Sequence, residues 1–395
     1  MSAFPKSQTK ANQSHPRFTR ITPKLTELDQ KMMRRALKLA RKGEGRVEPN
    51  PMVGCVIVHN GRVIGEGYHR RFGGPHAEIE ALRACKRNPR GATVYVSLEP
   101  CCHHGKTPPC TDALIDAGVA RVVVPLRDPN PDVYGKGLRR LRAAGIEVTT
   151  GVLRSGAKEV LAPFLTLLRK GRPYVIAKWA QSLDGLLVTP PGESKWISCE
   201  KSRRTVHRLR ARVDAILVGI GTVLADDPRL TARGVPLRRK ALRVVLDGGL
   251  RVPVKSNLVT SARKTPTLIF TTSHAVQSKK GKQLMRKGVE LIRCRTKSGR
   301  LSLSDCLSRL ADRGVANLLV EGGPTILDAM FKSRVVDEAW VFEALDAFTG
   351  RSRRNPLLET VDARGFHIVG VRFSGDDIFW RLQRTVPSYV VDRPT

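Results

Sequence analysis

Short apolar runs alternate with amphipathic stretches along most of this chain. The first regular pattern is "TELDQKMMRRALKLARKG", where Met33, Leu37 and Ala40 recur at helical spacing. Thr26 and Asp29, three residues apart, form a capping pair and Gly43 supplies a stop, which predicts a helix between them. "VGCVIVH" reads as a buried strand, Asn60-Gly61 as a hairpin turn and "RVIGEGYH" as the partner strand. The pattern then predicts a helix over "HAEIEALRACKR", a strand "ATVYVSL", a short helix "TDALIDAG" and a strand "ARVVVPL". A helix "GLRRLRAAG" and a strand "IEVTTG" follow. Such alternation builds a three-layer α/β domain. One more helix is expected at about 155–169, and "LRKGRPY", with Gly171 and Pro173, reads as a linker.

A second alternating series begins at "VIAKWAQSLDG". It continues through "AILVGIGTVLADDP", "LRVVLD", "TLIFTT", "ANLLVEGGPTILDAMF" and "EAWVFEAL" to a basic C-terminal segment. The expected organisation is a disordered basic tail over 1–25, a domain over 26–170, a second α/β domain over 172–386 and a short tail over 387–395. A transit peptide is the competing reading of 1–25, which holds five basic and no acidic residues. No internal repeat relates the halves.

Composition sharpens this picture. A chain of 395 residues exceeds one ordinary core, and 41% hydrophobic residues suffice to fill two. No apolar run reaches a membrane span, and no apolar leader with a cleavage site follows the N-terminus, so a cytoplasmic protein without membrane contact is expected. Three of eight cysteines lie within eleven residues and the others are scattered singly, a pattern suited to a reducing compartment and a metal site. The net charge of +35 is spread along the chain, and aromatics are only 5%, which leaves few stacking platforms for bases. Phosphorylated small molecules are therefore the expected partners, nucleic acid is not, and a homo-oligomer is expected.

The densest chemistry is "PCCHHGKTPPC" at 100–110, preceded by His76 and Glu78 in "PHAEIEAL". H-x-E followed by P-C-x-x-C is the signature of zinc-dependent deaminases, in which the glutamate is the general acid/base and not a ligand. Here eight residues separate Cys101 from Cys110 instead of two. Two thiolates and one imidazole neutralise Zn²⁺ yet leave it acidic enough to activate water near neutral pH. Cys102, His103 and His104 compete with Cys101 as ligands, and a closed four-ligand structural zinc competes with a catalytic one. "GKT" at 105–107 is no phosphate loop, because Pro100 stands where its first glycine belongs. Lys106 reads instead as a charge aimed at a substrate phosphate or carbonyl. In the second domain, "LLV" reads as a strand, Gly322-Gly323 as a tight turn and Pro324 as a first helical residue, so backbone N–H groups face an anion. "GIGTVL" is not a dinucleotide fingerprint, since Leu224 replaces its third glycine.

These residues carry a resemblance. "NPMVGCVIVHNGRVIGEGYHRRFGGPHAEIEAL" with "SLEPCCHHGKTPPCTDALI" closely resembles the deaminase half of the bifunctional riboflavin-biosynthesis deaminase/reductases. "AKWAQSLDG", "GESKWIS", "RRTVHRLRARVDAILVGIGTVLADDPRLTAR" and "VEGGPTI" resemble their reductase half. The resemblance covers about residues 26–386. It implies a cytidine-deaminase-like domain followed by a dihydrofolate-reductase-like domain. It also implies zinc on His76, Cys101 and Cys110, with Glu78 as proton shuttle. Asn50, His69 and Lys106 would contact a diaminopyrimidinone carrying a ribosylamino 5′-phosphate, whose 2-amino group is removed. NADPH would then reduce the ribosyl chain. Ser194, Arg210, Leu230, Arg233 and Glu321 match substrate positions. Ala180, Trp196, Thr222 and Asp226 match cofactor positions, as does the run Gly323, Pro324, Thr325, Ile326, Leu327, Asp328 and Ala329. The chain departs from the family at Gly248, where a serine is frequent, and lacks a proline-lysine segment after "DEAWVFEALDAFTG". A nucleic-acid deaminase with an accessory domain is the alternative; the charge favours it, while the loop's shape and the second domain's motifs oppose it.

Overall fold

The computed structural model describes residues 26–103, 108–187, 196–347 and 365–385. The expected tails at 1–25 and 387–395 lie outside them, as do Lys106 and Ser194. Helix α1 (Glu27–Ala40) begins as expected: Thr26 and Asp29 exchange side-chain and backbone hydrogen bonds at its start. Strands β1 (Gly54–His59) and β2 (Arg62–Tyr68) form the predicted hairpin around Asn60 and Gly61, both at positive φ. Then come α2 (Ala77–Arg83), β3 (Thr93–Val96), α3 (Cys110–Asp116), β4 (Arg121–Val124), α4 (Lys136–Ala143) and β5 (Glu147–Thr150). The five strands make one sheet in the order β2-β1-β3-β4-β5, parallel from β3 onwards. One apolar cluster joins this sheet to Met33, Ala36 and Leu37 of α1; a second joins its other face to Ala81, Leu114 and Leu138 of α2, α3 and α4.

Two helix predictions need correction. α2 stops at Arg83 instead of running to residue 87, because the chain turns so that the Lys86 N–H reaches the Ile64 carbonyl on β2. The helix expected at 155–169 is two, α5 (Arg154–Val160) and α6 (Ala162–Lys170), broken at Leu161. Pro163 causes the break: it has no N–H to continue the ladder, and its ring crowds the preceding turn.

The second unit runs β6 (Tyr174–Gln181), α7 (Glu200–Arg210), β7 (Ala215–Gly219), α8 (Ile220–Asp226), β8 (Leu242–Leu246), α9 (Asn257–Thr260) and β9 (Thr267–Thr271). It continues through α10 (Ser273–Gln277), α11 (Lys279–Arg286), β10 (Glu290–Arg293), a ribbon of β11 (Thr296–Lys297) and β12 (Arg300–Leu301), and α12 (Leu303–Asp312). Then follow β13 (Asn317–Val320), α13 (Pro324–Lys332), β14 (Glu338–Ala344), β15 (Phe366–Ser374) and β16 (Asp377–Arg384). Nine strands form one sheet, β10-β9-β8-β7-β13-β6-β14-β16-β15, parallel as far as β14 and closed by the antiparallel β15–β16 pair. The basic C-terminal segment thus contains a hairpin that the apolar pattern did not announce. Helices α7 to α11 cover one face, α12 and α13 the other.

The segment read as a linker is firmly tied down. Arg172 grips both oxygens of Asp337, at 2.5 and 2.8 Å, and Lys170 reaches the same carboxylate at 3.3 Å.

Candidate active sites

The deaminase site grows from two helix starts and one strand end. His76 is the residue before α2, Cys110 opens α3, and Cys101 follows β3. Their donor atoms lie within 4.8 Å of one another. His76 Nδ1 is 3.3 Å from Cys110 Sγ and 3.5 Å from Cys101 Sγ, and the Cys110 N–H points at Cys101 Sγ at 3.4 Å. Tetrahedral zinc, with bonds of about 2.3 Å to sulfur and about 2.0 Å to nitrogen, places such donors about 3.5 Å apart. The donor set therefore fits zinc in both chemistry and spacing. The Cys110 thiol and the His76 ring stabilise the Cys101 thiolate and hold its pKa well below that of a free thiol.

The competing ligands separate here. Cys102 turns its Sγ toward the Asp132 carbonyl, 3.9 Å away, and neither it nor His103 joins the cluster among the described residues. Among the described residues no fourth protein donor converges there. Glu78 is 3% exposed, and burial pushes its carboxyl up to about 7. Asn50 Nδ2 stands 3.2 Å from His69 Nε2, while His69 Nδ1 reaches the Pro75 carbonyl at 2.9 Å. That carbonyl needs a donor, so Nδ1 carries the proton and Nε2 accepts from the amide. Burial lowers the pKa of His69, in keeping with this neutral form. Its ring meets that of His76 edge-on, 5.5 Å between centroids.

One residue that the sequence did not single out supports the metal loop. Glu99, 4% exposed, accepts the N–H groups of Asp128, Gly135 and Leu138 at 3.1, 2.9 and 3.2 Å. It moors the cysteine loop to the chain leading into α4.

The second site is a cleft of about 1350 Å³ at the carboxyl ends of the parallel strands, where ligands of open α/β sheets sit. Arg210, Leu230, Arg233 and Glu321 line it. So do Ala180, Trp196, Thr222 and Asp226. From the run after β13, Gly323, Pro324, Thr325, Ile326, Leu327 and Ala329 face it. Asp328 does not: its carboxylate pairs with Lys332 Nζ at 2.7 Å along α13. Arg210 and Glu321 clasp each other, with Nη2 to Oε2 at 2.5 Å and Nε to Oε2 at 2.9 Å. The Thr222 hydroxyl accepts the Gly323 N–H at 3.2 Å. Gly322 is dictated by space, since a Cβ there would fall 1.6 Å from Ile326 Cγ2.

Sequence reasoning missed Lys178, Arg203 and His207, which also line the cleft. Arg203, His207 and Arg210 share one face of α7 at helical spacing, which was a readable signal. Lys178 was less so: it is the one basic residue in the strand "YVIAKWAQ", and burial lowers its pKa beside Glu321 and Arg210.

Comparison with known proteins matches both halves of the chain to known domains. Residues 26–126 match the cytidine and deoxycytidylate deaminase zinc-binding region, and residues 173–365 match the RibD C-terminal domain. Riboflavin biosynthesis protein RibD of Aquifex aeolicus (strain VF5) is 43% identical over 320 residues, covering 81% of this chain and 88% of its own. RibD of Escherichia coli (strain K12) is 41% identical over 369 residues, covering 90% and 99%. A crystallised diaminohydroxyphosphoribosylaminopyrimidine deaminase/5-amino-6-(5-phosphoribosylamino)uracil reductase from Thermotoga maritima superposes with a TM-score of 0.79 at 37% identity, covering 91% and 99%. Fold and sites together define a cytidine-deaminase-like zinc domain joined to a dihydrofolate-reductase-like NADPH domain. The chain belongs to the RibD family, the bifunctional deaminase/reductases of riboflavin biosynthesis.

Proposed function

We propose that residues 26–170 hydrolyse the 2-amino group from a diaminopyrimidinone bearing a ribosylamino 5′-phosphate, and that residues 172–386 then reduce the ribosyl chain. The convergence of His76, Cys101 and Cys110 beside the buried Glu78 carries this reading. Those three residues would hold zinc, which when bound supplies the Lewis acidity that activates water. Glu78 takes a proton from the attacking water, passes it to the ring nitrogen and then protonates the leaving ammonia. Its burial supports the role, since a carboxyl whose pKa lies near 7 both accepts and returns a proton. Asn50 and the neutral His69 orient the pyrimidine, and Lys106 meets its phosphate.

In the second site, NADPH supplies the hydride when bound. The N–H groups at the start of α13 and the Thr222 hydroxyl cradle it, together with Ala180, Trp196 and Asp226. Arg210, Leu230, Arg233, Glu321 and Ser194 hold the phosphorylated substrate. The reaction takes place in the cytoplasm; eight free thiols, two of them required as metal ligands, support a reducing compartment. A second copy of the chain pairs at the edge strand β15, which exposes Ile368, Val371 and Phe373 at 55, 51 and 74%. Sedimentation equilibrium checks that assembly. The catalytic reading is tested by supplying the diaminopyrimidinone phosphate with and without NADPH. Ammonia should appear in both, and NADPH should be consumed only after deamination; ammonia release from cytidine-containing RNA instead would revive a nucleic-acid deaminase.

A further inference from the structure

Asn50 closes a loop, residues 44–50, that leads from the first helix into β1. Within its own half the loop is held by short backbone bonds, such as Asn50 N–H to the Val47 carbonyl at 2.9 Å, and a second set of contacts comes from the other half of the molecule. Arg212 Nε pairs with Glu44 Oε1 at 3.2 Å, and Arg238 Nη1 donates to the Glu44 carbonyl at 3.1 Å. Arg239 reaches furthest. Its Nη2 donates to the Glu48 carbonyl at 3.0 Å, and its Nη1 stands 3.8 Å from Glu48 Oε2 while pairing with Asp214. Glu48 is itself 4% exposed, and its other oxygen accepts the Gly45 N–H at 2.9 Å. Pro49 packs against Gly314, between α12 and β13.

The anchor for Arg239 is rigid. Asp214 Oδ2 accepts the N–H groups of Ala316 and Asn317 at 2.9 and 2.8 Å, at the entry to β13 in the centre of the nine-stranded sheet. The chain from the reductase sheet to the deaminase substrate loop is therefore continuous: β13, Asp214, Arg239, Glu48, then Asn50 two residues on. From Asn50 it passes through His69 to the metal cluster.

We propose that Arg239 is a positioning residue for deamination: the reductase half, through Arg239 and Glu48, holds Asn50 in place for the pyrimidine. The deaminase site is thus completed by the domain that does not carry its chemistry. Removing Arg239 leaves the Glu48 carboxylate buried without a cation and frees the loop, while the metal ligands, on α2, α3 and the strand end before them, keep their own supports. The proposal rests on Asn50 touching the substrate.

The test uses the full-length, zinc-loaded protein. Arg239→Ala should raise the KM for deamination by roughly 10- to 100-fold, the scale expected when a positioning contact is lost. The kcat, the zinc content and the reductase rate on already deaminated substrate should change little. Glu48→Gln, which keeps size and the Gly45 contact, should raise KM in the same direction, and Arg239→Lys should recover part of the loss. Asn50→Ala should raise KM too, and the double variant with Arg239→Ala should be no worse than the poorer single one, because both act on one contact. An unchanged KM in Arg239→Ala and Glu48→Gln overturns the proposal while leaving Asn50 as a substrate contact. A parallel fall of both activities with the melting temperature also overturns it, since that marks a merely structural role. If Asn50→Ala alone has no effect, the reading of Asn50 fails and the proposal fails with it.

Discussion

In the deaminase half, three donor atoms within 4.8 Å of one another come from positions 34 residues apart at most. In the reductase half, the cleft spreads from Lys178 to Ala329 and gathers residues from α7 and from the ends of β6, β7, β8, β9 and β13. The difference follows from what is bound. A metal ion fixes donor type and spacing to a fraction of an ångström, so each position admits few residues. A dinucleotide is held largely by backbone N–H groups and shape, which many side chains can frame, and a sugar phosphate by several side chains that share the load. Single substitutions should therefore act nearly all-or-none at the first site and by degrees at the second.

The largest effect is expected at the three residues proposed to hold zinc. Cys101→Ser and Cys110→Ser should each lose zinc and deamination together, because hydroxyls are poor substitutes for thiolates in this donor set. Cys102→Ser should retain both, since its sulfur points to the Asp132 carbonyl. Metal content by atomic absorption, beside ammonia release, checks this; full zinc occupancy in Cys101→Ser would falsify the ligand assignment.

Next come the proposed acid/base, Glu78, and the Arg210–Glu321 clasp proposed to hold substrate. Glu78→Gln keeps size but cannot take a proton, so deamination should fall by at least about 10²–10⁴-fold with zinc still bound. Reduction of already deaminated substrate should continue at its usual rate. Glu321→Gln should do the converse: it weakens the grip on Arg210, and reduction should fall roughly 100-fold while ammonia release persists. If Glu78→Gln silenced reduction as well, in a folded and zinc-loaded protein, the two sites would be chemically coupled and the contrast drawn between them would collapse.

How far each region was legible follows the same physics. The capping pair at Thr26 and Asp29 and the Asn60-Gly61 hairpin are local, and local chemistry decides them. His76 and Glu78 were fixed by spacing, whereas the choice of Cys101 over Cys102 depended on which way neighbouring side chains turn. The break at Leu161 was written in Pro163 but masked by the helical periodicity on either side. Strand β15 was hidden because all its residues from His367 to Phe373 are exposed, so no buried face imposed an alternation. Arg239 carried no sequence signal, and Lys178 only that of one basic residue in an apolar strand. Their partners lie across the fold, and one lysine or arginine among 70 such residues looks like any other.

The smallest effect, and the sharpest check on a graded site, is at Gly322. A Cβ there would lie 1.6 Å from Ile326 Cγ2 and 3.1 Å from its Cβ, so alanine forces the first turn of α13 to shift. That turn presents the N–H groups proposed to hold the cofactor, while the α7 residues proposed to hold substrate are untouched. Overpacking of this kind costs about 1–3 kcal/mol, and here it should appear as a rise in the KM for NADPH of roughly 5- to 150-fold. The KM for the phosphorylated substrate and the rate of deamination should hold steady. Because the clash is with one side chain, Ile326→Ala in the same protein should remove it and restore much of the NADPH affinity. A Gly322→Ala variant with normal NADPH kinetics would mean that the cofactor does not rest on the start of α13. Failure of Ile326→Ala to rescue would mean that Ile326, which itself lines the cleft, is needed to hold the cofactor.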